Sequence, residues 1–293
     1  MTRAGRVVAL ALAGAALLSA HPSRAADAPS PAPAAGEDLD ALSAAIAPAI
    51  VSIKVIYTWA GGEEEDSWWS HGVVVDPGGL VLVGLSTDSE GRVRIKAVHV
   101  LFEDDPTEWP AVLVAKDTIL GLAWIQVLGV GERSLAHVDL AKGVADRAEP
   151  PRLGEPLFGV TRLGRGFDYA PAVRRIYFTS RITSPRRMWD FAGDFGEVGL
   201  PVFDLKGRPV ALLAEQASAE GAGEDGGTSS EAFALPLDAV LKSLEQARKR
   251  VPEALKKAEG PAKDAPKEPV KDAPGGDARP PAPSTPRPPD VSK

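Results

Sequence analysis

Residues 193–212, GDFGEVGLPVFDLKGRPVAL, hold a Gly-rich turn, a proline and two short apolar runs joined by Asp204-Leu205-Lys206-Gly207. Glycine enters φ > 0 without steric cost, and an Asp-x-x-Gly link between apolar runs is turn chemistry, so the stretch predicts a tight loop feeding a β-hairpin. The loop has the shape of a reactive turn, yet no hydroxyl or thiol sits in it between Gly196 and Gly199.

The same texture extends upstream. IVSIKVIYTW, HGVVVDPGG, LVLVGL, RIKAVHVLF, WPAVLVA and LAWIQVL follow one another from Ile50 to Leu128, and EPLFGVTRL and VRRIYFTSRI precede the quoted stretch. Many short runs rich in Val, Ile and Leu, each closed by Gly, Pro or Asp, predict an all-β sandwich or barrel. A short helix is expected from Asp38 through DLDALSAAIAPAI, and a C-terminal helix after Pro236 and Asp238 over AVLKSLEQARKRV. Between Ala217 and Ser230 no apolar residue larger than Ala occurs, which predicts a surface loop.

The ends read differently. Arg3 and Arg6 precede the apolar run VVALALAGAALLSA, and small residues follow at Ala25 and Ala26, the order of a cleavable secretory signal over residues 1–26. The run is short for a bilayer span, so the mature chain is expected to carry no transmembrane anchor and to be exported, periplasmic or secreted. Residues 27–37 form a Pro/Ala linker, 38–251 the folded domain, and 252–293 a Pro/Lys-rich tail expected to be disordered or extended.

Composition narrows the chemistry. The formal charge of −7 divides as +3 over residues 1–26, −13 over 27–248 and +3 over 249–293, so the body lacks the basic face that nucleic acid requires. With no cysteine there is neither a disulfide framework nor a thiol nucleophile, and no metal or cofactor is expected.

Three segments carry a resemblance. Gly72-Val73-Val74-Val75-Asp76-Pro77-Gly78-Gly79-Leu80-Val81-Leu82 is similar to the G-V-I-I-D-x-x-G-Y-I-L-T hairpin of HtrA-type bacterial serine proteases, which leads into a catalytic His. Asp117 to Ile125 resembles D-x-x-x-D-L-A-V-L, whose second acid is catalytic, and Gly196 to Asp204 resembles the nucleophile loop G-N-S-G-G-P-L-x-N. Leu153 to Leu157 and Phe233 to Asp238 resemble the family's V-G-D-x-V and F-A-I-P-x-D. The resemblance covers about Ala45 to Val251 and implies a trypsin-like double antiparallel β-barrel, two six-stranded barrels across a cleft, with the N- and C-terminal helices attached.

Carried over position by position, the resemblance places Ser86, Gly121 and Val198 where the family has His, Asp and Ser. A triad needs a hydroxyl to attack, an imidazole to take its proton and a carboxylate to orient the ring. Val198 offers only methyl groups, Ser86 is no base near neutral pH and Gly121 has no side chain. His71 precedes Ser86 by about 45 Å of extended chain, and His99 and His137 sit in apolar, strand-like surroundings that suit a packed imidazole.

The leading expectation is therefore an exported pseudoprotease that binds a peptide or protein segment. The resemblance implies a peptide edge at Ala214, Glu215 and Gln216, a turn held by Gly196 and Gly199, and Trp189 as a groove wall. Two other readings remain: a serine endopeptidase with a relocated nucleophile at Ser180, Ser184 or Ser86, and a structural envelope module acting through its tail. Glu63 to Asp66, before Trp68 and Trp69, is expected to be a solvated loop tip, and Glu103-Asp104-Asp105 a hairpin turn. Arg174, Arg175, Arg186 and Arg187, with Arg181 nearby, are a candidate anion site.

Overall fold

A computed structural model describes residues 38–85, 93–103, 105–146, 149–184, 186–193, 197–218 and 229–259. The signal, the linker, Ser86 and the end of the tail lie outside these residues. Twelve strands close into two barrels, β1-β2-β3-β6-β5-β4 and β10-β11-β12-β9-β8-β7, and every pairing is antiparallel. Closure removes the sheet edges that an open sheet of this size would expose.

The first barrel comprises β1 (Ile50–Trp59), β2 (Glu65–Val74), β3 (Leu80–Gly84), β4 (Val93–Phe102), β5 (Asp105–Asp117) and β6 (Leu122–Val127). Alternation decides its inside: Val51, Ile53 and Val55 of β1 join Val74, Val81, Val83, Val100, Ile125 and Val127 in one core. Ile50, Leu80, Leu82 and Trp124 instead join the larger core that fills the second barrel and the space between the two. The Asp76–Gly79 hairpin turn is held by Asp76 Oδ1, which accepts from Gly78 N at 2.9 Å.

The second barrel comprises β7 (Pro156–Arg162), β8 (Pro171–Ile182), β9 (Met188–Ala192), β10 (Pro201–Asp204), β11 (Pro209–Ser218) and β12 (Ser229–Pro236). Phe158, Phe178 and Phe203 are fully buried in it, the first and last stacked with centroids 5.6 Å apart. The quoted stretch forms the expected hairpin, β10 to β11. Buried Asp204 accepts from the backbone N–H of Lys206 and Arg208 and pairs with the Arg208 guanidinium, while Gly207 takes φ +74°.

Helix α1 (Leu39–Ile46) starts where expected, Asp38 accepting from Ala41 N at 3.1 Å, and runs into a 3₁₀ turn at Ala47–Ala49. Helix α2 (Leu140–Ala145), capped by Asp139, has no counterpart in the sequence reading. The twelve strands match the two six-stranded barrels expected, with β9 and β12 outside the apolar runs quoted above, and β2 begins within the acidic stretch, where Glu65 and Asp66 pair with Thr58 and Tyr57. The solvated-tip assignment therefore holds only for the residues before them.

Helix α3 spans Leu237–Glu259 and so continues past Val251, where the sequence pattern predicts its end. Pro252 lies inside the helix, and the following Glu253-Ala254-Leu255-Lys256-Lys257-Ala258 are strong helix formers that outweigh one lost backbone hydrogen bond. Val240, Leu244 and Ala247 fix the helix to the core, and Trp124 Nε1 donates to Ser243 Oγ at 2.9 Å. No described helix is long and apolar enough to cross a membrane.

Arg162, on β7, ties the barrels together. Its guanidinium donates to the carbonyls of Ile50 (2.5 Å), Ala47 (2.7 Å) and Tyr169 (3.0 Å) and pairs with Glu103 at 2.9 Å.

Candidate functional site

The turn Glu197-Val198-Gly199 docks on the end of β3. A β-carbon added to Gly84 would come within 2.5 Å of the Val198 carbonyl oxygen and 2.7 Å of its Cγ1, and one added to Gly199 within 2.1 Å of Gly84 N. Real side chains essentially never approach so closely, so both positions must be glycine for the barrels to meet here. Gly199 also needs its φ of +91° and donates its N–H to Leu213 O at 2.8 Å, which fixes the turn to β11.

Gly121 lies on the other side of Leu85. Leu85 N donates to Gly121 O at 2.9 Å, and a β-carbon on Gly121 would stand 3.6 Å from Glu215 O. Gly121 has φ +68° in a turn that Asp117 caps by accepting from Leu120 N at 3.0 Å. Gly84-Leu85, Gly121, Val198 and Glu215 thus share one inter-barrel cleft. Ser86 follows Leu85 but lies, like Gly196, outside the described residues.

The edge of β11 is open here. Beyond Leu212, where pairing to β10 ends, Ala214, Glu215 and Gln216 pair with Phe233, Ala232 and Glu231 of β12 on one side only, among the described residues. Their other side runs past Gly121. An unpaired strand edge beside a cleft can hydrogen-bond an extended segment.

His71 is closer to the cleft than its chain distance suggests. The β2–β3 hairpin folds back so that Gly72 pairs with Val83, which sets His71 beside the docked turn. Its Nδ1 lies 2.9 Å from Oε1 of Glu197, a close polar contact without hydrogen-bond alignment. Contour length overstated the separation because a hairpin halves it. The imidazole faces a carboxylate, and the residue after Glu197 is Val198.

The remaining candidates separate. Trp189 is buried and packs edge-on against Phe178 at 5.8 Å, so it belongs to the core and is not a groove wall. Its position on β9, a strand the sequence reading did not recognise, explains the difference. Ser180 lies opposite Asp190 on β9, across from an acid and not an imidazole. The arginines do not form one anion site: Arg186 donates to Ile119 O, Arg187 pairs with Asp238, and Arg181 donates to Pro151 O at 2.8 Å. Burial lowers the Arg186 pKa, opposed by the nearby Asp117 charge. No group of three or more His, Asp or Glu able to hold a metal occurs among the described residues.

No family model and no curated protein matches the chain. Among solved structures it is similar to the MamO protease domain from Magnetospirillum magneticum in its apo form (17% identity, 68% of this chain and 97% of that one, TM-score 0.47). It is also similar to Deg5 (19%, 70% and 91%, TM-score 0.48). A third is the active form of the Rv3671c protease from M. tuberculosis (19%, 70% and 83%, TM-score 0.49). The chain's own two closed six-stranded barrels, meeting at a cleft beside a Gly-rich turn, give it the trypsin-like double-barrel fold.

Proposed function

We propose that the protein is an exported pseudoprotease that binds an extended peptide or protein segment in the inter-barrel cleft without cleaving it. One observation carries the reading: the residue at the apex of the docked turn is Val198, its side chain packed toward Gly84, beside an open strand edge at Ala214–Gln216. Acyl transfer needs an attacking atom and a proton acceptor at that place, and a valine supplies neither. Backbone pairing needs only the free N–H and C=O groups of β11. Export rests on the N-terminal charge and apolar pattern.

The test combines two measurements on the mature protein. Casein and unfolded peptides should remain intact during prolonged incubation, and a library of extended peptides should yield binders. Replacing Glu215 by proline, which removes a backbone donor from the edge, should abolish their binding. Cleavage, or peptide binding unaffected by that substitution, would overturn the reading.

A further inference from the structure

The first barrel is not filled at the end that faces the cleft. A cavity of about 900 Å³ opens between its strands, within the range of small-molecule sites. Ile53, Val55, Val98, Leu113 and Ile125 supply apolar wall. The room arises from small residues at positions where a packed barrel needs bulk: Ser70, Ala111 and Ala123. Protein interiors pack at crystal density, and an apolar void of this size sacrifices both dispersion and burial unless something fills it.

The charge around the cavity is one-sided. Among the described residues Lys96, Lys116 and Lys257 line it and no Asp or Glu does, although the folded body as a whole is acidic. Lys96 is the extra residue at the β1–β4 register shift, between Ile95 opposite Tyr57 and Ala97 opposite Ile56, and Lys116 is in register with Ala123 on β6. Both are exposed, so apolar stems run along the wall while ammonium groups reach solvent. Lys257 comes from α3, whose last turns bring Ala254, three residues before it, and Ala258, one residue after it, to the same opening. None of the three lysines has an ion-pair partner among the described residues.

We propose that the first barrel binds a long-chain carboxylate amphiphile, with the hydrocarbon chain inside the barrel and the carboxylate at the three lysines. An apolar interior with lysines as the charged lining residues among those described complements that chemistry at both ends. A neutral lipid would leave the lysines without a counter-charge, and a short anion would leave the cavity unfilled. The cavity borders the inter-barrel cleft at Gly84, Leu85 and Gly121, but its proposed occupant does not rest on the peptide reading. It uses the interior of barrel one, whereas the edge belongs to β11 of barrel two.

The experiment is a titration of the full mature chain with cis-parinarate, read by its fluorescence and by energy transfer from Trp68 and Trp69 at the wall. Saturable binding displaced by oleate, but at least tenfold less well by methyl oleate or octanoate, is expected. The charge-reversed variant Lys96→Glu, Lys116→Glu, Lys257→Glu changes only exposed side chains and should weaken parinarate at least tenfold. Ala111→Leu, which occupies interior space, should do the same, with circular dichroism reporting its fold. Equal displacement by methyl oleate, or unchanged affinity in the charge-reversed variant, would overturn the assignment. So would absence of binding to the full chain, including the case in which a chain ending at Glu259 binds and the full chain does not, which would make the tail the occupant. Peptide binding measured in the same variants should be unchanged, which separates failure here from failure of the cleft reading.

Discussion

His71 and Glu197 hold the docked turn from the side, Nδ1 to Oε1 at 2.9 Å, with the imidazole largely buried on β2 and the carboxylate partly open to water. The contact joins barrel one to the loop of barrel two that carries Val198. Glu197→Gln should therefore lower stability by only about 1 kcal/mol, since the acid is partly solvated. It should raise hydrogen exchange at Gly199 and Leu213 more than elsewhere. Uniform exchange changes across both barrels would show that the pair does not locally restrain the turn.

The wild-type protein should not react with a serine-directed fluorophosphonate, and Val198→Ser alone should not change that, because an isolated hydroxyl keeps its proton near neutral pH. Adding Ser86→His and Gly121→Asp meets a backbone obstacle: Gly121 has φ +68°, where a side chain costs roughly 1 kcal/mol or more. The triple variant should accordingly be less stable than wild type by thermal melting. Stoichiometric labelling of a wild-type serine, lost on mutating that serine, would contradict the pseudoprotease reading.

Asp105 gives an acid-side prediction. Its carboxyl is held well below the usual carboxylate range, first by hydrogen bonds from the Thr107 side chain and backbone, then by Trp109 Nε1 and Arg133, against the opposing effect of burial. A depressed folded pKa means a contribution complete above the unfolded value of about 3.9 and lost as pH falls toward the lower folded value. The stability gap between wild type and Asp105→Asn should be constant from neutral pH to about 5 and shrink below about 4. Urea unfolding at several pH values, followed by tryptophan fluorescence, measures it; a gap that widens in acid would reverse the sign.

Arg162 carries the largest single effect expected. Arg162→Ala strands the buried carbonyls of Ile50 and Ala47 and should cost about 3 kcal/mol, read as a lower urea midpoint. Arg162→Lys should recover little, since one ammonium cannot span the carbonyls that the planar fork reaches from Nε and both terminal nitrogens. Full rescue by lysine would reduce the role to charge alone.

The fold was legible because strand alternation and turn chemistry are local. IVSIKVIYTW became β1 without adjustment, and the Asp204–Gly207 link became the β10–β11 turn. What escaped was set by partners distant in sequence. Met188–Ala192 is five residues with no clear alternation, and it forms a strand because β8 and β12 flank it. That hid the burial of Trp189. The arginine cluster dissolved for the same reason, Arg181, Arg186 and Arg187 each finding its own partner across the structure. The proximity of His71 and Glu197 needs the closed hairpin, and the cavity in barrel one is a sum over small residues on several strands that no single motif reveals.

The Gly84–Gly199 contact also has a kinetic meaning. It joins surfaces that exist only after each barrel has closed and the turn has formed, so it belongs among the last interactions made on folding. Gly84→Ala should leave the folding rate nearly unchanged and speed unfolding, putting its cost on the unfolding limb of the chevron. The two glycines would then govern how long the native state survives and leave the time to reach it almost untouched.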